Sequence, residues 1–152
     1  MKTALKTPVG NILITEKDGF ISELELNSTQ KPSAPPSPLL REAARQIEEY
    51  FLKKRRKFDL PVNPDGTIFQ KAVWREMQKI RFGKTASYKN IAEAVGNPRA
   101  FRAVGGAANK NPIALIIPCH RVVGADGSLT GFAGGMALKK KLLDFEKSDK
   151  TR

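Results

Sequence analysis

The segment Leu60-Pro61-Val62-Asn63-Pro64-Asp65-Gly66 interrupts the chain, and the apolar pattern differs on its two sides. Upstream, Ile12 and Ile14 share one face of a weakly alternating stretch. Phe20 to Leu26 resumes a period near two after the turn signal Lys17-Asp18-Gly19. Alternation at period two is the mark of a half-buried strand, and a glycine that accepts positive φ suits the turn. These residues predict a hairpin, with Thr3–Lys6 as a third strand. Pro32, Pro35 and Pro36 make 27–37 a loop. Ser37-Pro38 then opens a helix with a cap and a proline at its first position. Leu39 or Leu40, Ala43, Ala44, Ile47, Tyr50 and Phe51 form its apolar stripe. The basic run 53–57 reads as its solvated terminus, where positive charge meets the negative end of the helix dipole.

Downstream the pattern is mostly helical. Thr67-x-x-Gln70 is a capping box ahead of Phe69, Val73, Met77 and Ile80, with Trp74 beside them. Ser87 caps a short helix, Tyr88–Val95, which Gly96 ends. A second starts at Asn97-Pro98 and runs to about Ala108. Two short helices joined by a glycine-containing turn are a helix-turn-helix signature. Ile113–Ile117 reads as a buried strand. Val122-Val123 pairs with Leu129 around 125–128, and a last helix covers Met136–Glu146. The reading is an α+β chain of two domains. A small N-terminal β-sheet plus helix occupies 1–62, and a mostly helical, winged helix-turn-helix-like domain occupies 63–152.

Charge is divided as unevenly as periodicity. The formal net charge is +12. Residues 1–66 carry 11 basic and 9 acidic side chains; residues 67–152 carry 16 and 6. An excess so placed points to a polyanion partner for the second domain. The 40% apolar content argues against disorder throughout. No apolar run approaches the ~20 residues of a membrane span, and the first residues lack a signal core. One cysteine cannot form an internal disulfide, which suits a reducing setting, cytoplasmic or nuclear.

That cysteine, Cys119, is followed by the only histidine, His120. One residue of each type cannot assemble a structural zinc site or an internal CxxC redox pair. What remains is a nucleophile beside a base that takes its proton. On a regular strand the two side chains would point to opposite faces. They cooperate only if the chain turns at Cys119, where Pro118 makes an irregular junction plausible. The other reading is a buried structural cysteine with an incidental histidine. The second helix, Arg99 to Ala108, is paved with Ala100, Ala103, Gly105, Gly106 and Ala107. Such a shallow face with arginines suits a narrow groove and a wedge more than a base-reading code. Close helix packing is the alternative.

Pro118-Cys119-His120-Arg121-Val122-Val123 resembles the active-site motif of the O6-alkylguanine-DNA alkyltransferases. Gly83-Lys84-Thr85-Ala86-Ser87-Tyr88 resembles that family's turn into its helix-turn-helix, and 102–107 resembles its recognition helix. Asn111-Pro112, Gly134-Gly135 and Leu142-Leu143-x-x-Glu146 follow in the family's order, so the resemblance covers about 67–147.

The resemblance implies single-turnover DNA repair by a monomer that needs no cofactor. It would bind double-stranded DNA through the minor groove, flip out an O6-alkylated guanine and take the alkyl group onto Cys119. His120 would accept the thiol proton through a water, and Glu146 would steady the imidazolium. Tyr88 would donate to guanine N3 and touch a phosphate, and Asn111 would brace the turn bearing Cys119. Carbonyls of Cys119 and Val122 would accept from the exocyclic amine. Arg102 would fill the vacated stack, with Arg99, Ala103 and Gly105 on the DNA-facing helix. Members often have Tyr-Ser where this chain has Phe132-Ala133. Phe132 would still wall the alkyl group, and the Ala133 N–H would face O6. A DNA-binding regulator, a Cys–His hydrolase and a non-catalytic lesion binder are the competing functions.

Overall fold

The computed structural model describes residues 1–129, 132 and 135–148. It is an α+β chain of two compact units, one comprising 1–65 with 112–116 and the other 66–111 with 117–152. In the first unit β1 (Lys2–Thr7), β2 (Gly10–Lys17) and β3 (Phe20–Glu25) form an antiparallel sheet in that order. Asp18 and Gly19 both take positive φ, as a two-residue hairpin turn requires. Ile12 and Ile14 are fully buried, as their alternation predicts. Ile21 and Leu24 are also buried although three apart. Glu23 pairs with Thr15 and Ile21 with Glu16, so Ser22 is the extra residue of a bulge. The bulge turns both side chains into the core.

Helix α1 (Pro38–Phe51) packs on β1 and β2. The Ser37 hydroxyl accepts from the Leu40 N–H, and Leu40, Ala43, Ile47 and Tyr50 are buried. The basic run lies past the helix end. Arg55 turns back to Glu49 at 2.9 Å and donates to the Lys57 carbonyl at 2.9 Å.

Residues 113–117 are not a strand. Ile113 makes one parallel bridge to Leu24, Leu24 N donating to Pro112 O at 2.9 Å and Ala114 N to Leu24 O at 3.2 Å. The chain then turns, with Leu115 at φ 72°. Prolines at 112 and 118 remove a donor at each end of the run. Its apolar side chains are buried from a turn instead of a ladder.

In the second unit α2 (Ile68–Met77) has the expected capping box, Thr67 with Gln70, and buries Val73, Trp74 and Met77. The Trp74 indole donates to the Ala107 carbonyl at 2.8 Å, tying α2 to α4 (Phe101–Asn109). Between them lie β4 (Ala86–Ser87) and α3 (Tyr88–Ala94), which ends at Gly96 with φ +84°. Helix α4 starts later than its sequence suggests. Residues 97–100 make a turn closed by Ala100 N to Asn97 O at 2.9 Å. Val122-Val123 (β5) pairs in parallel with Ala86-Ser87, not with Leu129. The segment after β5 closes on itself through Gly124 N to Ser128 O at 2.8 Å, which leaves the β5 edge to β4. Helix α5 (Met136–Lys147) buries Lys139, Leu142, Leu143 and Glu146, a stripe at helical spacing that includes two charged residues.

Candidate active site

The cysteine sits at a local break in the chain. Pro118, at φ −81° and ψ 65°, is the centre of an inverse γ-turn in which Cys119 N donates to Ile117 O at 2.8 Å. Cys119–Arg121 then form one 3₁₀ turn. Successive side chains in such a turn splay by about 120°, so Cys119 and His120 are not sent to opposite faces as on a strand. The Asn111 amide donates to the same Ile117 carbonyl at 2.8 Å and hydrogen-bonds the cysteine side chain.

His120 is fully buried, with Nε2 2.8 Å from Glu146 Oε2. Arg121 grips that carboxylate from another side, Nε to Oε1 and Nη2 to Oε2, both 2.9 Å. Its Nη1 donates to Ile80 O at 2.7 Å. The Gly83 N–H adds a bond to Oε1 at 3.1 Å from a turn where Gly83 takes φ +78°. Burial alone would raise the Glu146 carboxyl, but the hydrogen bonds and charges of His120 and Arg121 outweigh it and hold Glu146 below the usual carboxylate range. Facing an ionised carboxylate, Nε2 carries the ring proton and donates. His120 Nδ1 is buried and has no hydrogen-bond partner among the described residues, so its lone pair is available. Burial pulls the imidazole below its ordinary value despite Glu146, and it rests neutral. Burial also pushes the Cys119 thiol up, against the Asn111 bond and the positive charge of Lys139.

Tyr88 is the first residue of α3 and is half-buried. The fully buried Lys139 donates to its hydroxyl at 3.4 Å and lies 5.7 Å from its ring centroid. Gly105 of α4 flanks the same ring: a Cβ there would lie 3.9 Å from Tyr88 Cδ1 and Cε1. Val122 is fully buried in β5, and Phe132 is partly buried. Arg99, Arg102 and Ala103 are exposed on α4 and the turn before it. Ala133, like Gly134, lies outside the described residues.

The sequence reading missed Arg121, Lys139 and Gly83. The signal for Lys139 was available: it falls on the buried spacing of Leu142, Leu143 and Glu146. No group of three or more His, Cys, Asp or Glu among the described residues could hold a metal ion, and none of their helices is long and apolar enough to cross a membrane.

Residues 68–148 match the DNA binding domain of the family described as 6-O-methylguanine DNA methyltransferase, and residues 1–64 match that family's ribonuclease-like domain. A Methanosarcina barkeri methylated-DNA–protein-cysteine methyltransferase is 45% identical over 151 residues, covering 95% of this chain and 96% of the relative. The constitutive Bacillus subtilis protein of the same description is 39% identical over 155 residues, covering 95% and 94%. The crystal structure of Mycobacterium tuberculosis OGT in complex with DNA superposes with a TM-score of 0.86 at 39% identity, covering 95% of this chain and 91% of that one. The chain belongs to the 6-O-methylguanine DNA methyltransferase family.

Proposed function

We propose that this protein repairs DNA directly, moving the alkyl group of an O6-alkylguanine onto its own Cys119 in a single turnover. The observation that carries this reading is the His120 ring, anchored at Nε2 and left basic at Nδ1, beside the chain's only cysteine. A neutral thiol is a weak nucleophile, so its proton must leave first. His120 Nδ1 takes that proton, directly or through a water, and the Glu146 carboxylate stabilises the imidazolium. The thiolate attacks the alkyl carbon in line. The new bond is S–C, the broken bond is C–O6, and the electron pair passes into the guanine. Tyr88 donates to guanine N3 as that charge develops, and the Lys139 ammonium beside its hydroxyl favours the transfer. The product is a thioether, which is a very poor leaving group. No second cysteine exists to receive the alkyl group. Asn111 holds the turn under Cys119, Phe132 lines the alkyl side, and the Cys119 and Val122 carbonyls select the exocyclic amine.

The target atom is inaccessible inside the base stack, so the nucleotide must be flipped out. Helices α3 and α4 act as a helix-turn-helix whose second member lies in the minor groove. Arg99, Ala103 and Gly105 line its approach, and Arg102 enters the vacated stack. Titrating the protein with an O6-methylguanine duplex tests the reading: one methyl transferred per molecule and no second is expected. Continued turnover would refute it.

Three further outcomes follow from named residues. Arg102→Ala lowers the rate on duplex substrate by about tenfold if ~1.4 kcal/mol of transition-state stabilisation is lost. The free base O6-benzylguanine needs no flipping, so its rate falls much less. Equal losses on both substrates would assign Arg102 to the fold or the pocket. Affinity for unmodified duplex drops steeply as salt rises, because the basic domain releases counterions from phosphates. A salt-independent affinity would contradict groove binding. Finally, protonated His120 cannot accept a proton, and burial sets its folded value below the ordinary one of about 6.5. The single-turnover rate therefore holds at that pH and declines only further into acid. Loss of half the rate at or above the ordinary histidine value would oppose the assignment.

A further inference from the structure

Phe101, the first residue of α4, is 46% exposed, although the helix buries Val104, Ala107 and Ala108 beneath it. A single exposed aromatic is ordinary on a protein surface. The placement of this one is not. The Arg102 guanidinium lies 6.0 Å from the Phe101 ring centroid, so ring and cation are held together. Phe101 also stands four residues before Gly105, on the same face of the helix. Gly105 is where α4 comes against the Tyr88 ring. Phe101 thus occupies the side of Arg102 that leads towards Tyr88. Its neighbours Arg99 and Arg102 are both exposed, which suits an anionic partner and not an apolar one.

We propose that Phe101 is a second wedge residue, stacking from the minor groove on the base beside the flipped nucleotide while Arg102 fills the gap itself. The inference rests on α4 being the DNA-bound helix. Flipping one nucleotide leaves both flanking base pairs without a stacking neighbour. A thin guanidinium caps only part of that surface. An aromatic ring supplies more, and it does so for any sequence because every base has a π-face. Phenylalanine is among the apolar side chains that open base steps in minor-groove complexes.

The test compares wild type, Phe101→Ala and Phe101→Leu on an O6-methylguanine duplex and on free O6-benzylguanine, with thermal unfolding to check the fold. Phe101→Ala is expected to lower the ratio of duplex rate to free-base rate about tenfold, the scale of one lost base–aromatic stack. Phe101→Leu, which keeps an apolar wedge without the π-face, falls between the two. An unchanged ratio in Phe101→Ala would overturn the proposal, as would equal losses on both substrates. Failure of the underlying reading looks different: wild-type protein would be alkylated by the free base and not by the duplex.

Discussion

Cys119→Ser is expected to abolish alkyl transfer while leaving DNA binding nearly intact. A serine hydroxyl is far less acidic than a thiol, and the neutral His120 that rests beside it is too weak a base to ionise it. The oxygen is also the poorer nucleophile towards an alkyl carbon. The loss should exceed about a thousandfold, the scale on which removing a nucleophile acts. Duplex affinity should stay within about twofold, because phosphate neutralisation carries it. Cys119 is 6% exposed and belongs to the turn, whereas Arg99 and Arg102 stand in solvent on and before α4. Single-turnover transfer and duplex binding measured on the same preparation separate the two properties. Residual transfer near the wild-type rate would remove Cys119 from the reaction.

Glu146→Gln should cost both stability and activity. The carboxylate is 2% exposed and receives His120, Arg121 and the Gly83 N–H. Removing its charge leaves the buried Arg121 guanidinium uncompensated, a loss of about 3–5 kcal/mol for a broken buried pair. The amide retains the shape, so the cost is electrostatic and not a cavity. It also offers Nε2 a neutral acceptor, which no longer favours an imidazolium, and transfer slows. The pH dependence follows from the depressed carboxyl. Its stabilising effect is complete above the unfolded value of about 4.3 and fades as pH falls through the lower folded value. Urea unfolding should show wild type and variant converging in acid. Equal stabilities at neutral pH would mean that the network does not hold the second unit together.

The first unit was largely legible because its signals are local. Alternation at Ile12 and Ile14, the Asp18-Gly19 turn and the Ser37-Pro38 cap each act within a few residues. The bulge at Ser22 was visible only as an awkward spacing of Ile21 and Leu24. Ile113–Ile117 misled because an apolar run looks alike whether a strand or a turn buries it. The pairing of Val122 with Ala86 joins residues far apart in the chain, which no local pattern reports. In the site, Cys119 and His120 stand out by being single. Arg121 and Lys139 did not, because a charge is ordinarily taken as solvent-facing. The network shows what holds them there: Arg121 meets Glu146, and Lys139 lies against Tyr88 within the field of Cys119. Spacing on α5 carried that information for Lys139, since a lysine in register with Leu142 and Leu143 must face inward.

The most direct measurement is the mass of the intact protein, followed by peptide mapping, after exposure to a duplex containing one O6-methylguanine. The account predicts a gain of one methyl group, borne on Cys119, with guanine restored in the DNA and no further gain however much duplex is added. An unchanged mass with the lesion still present, or a methyl group on any other residue, would contradict it.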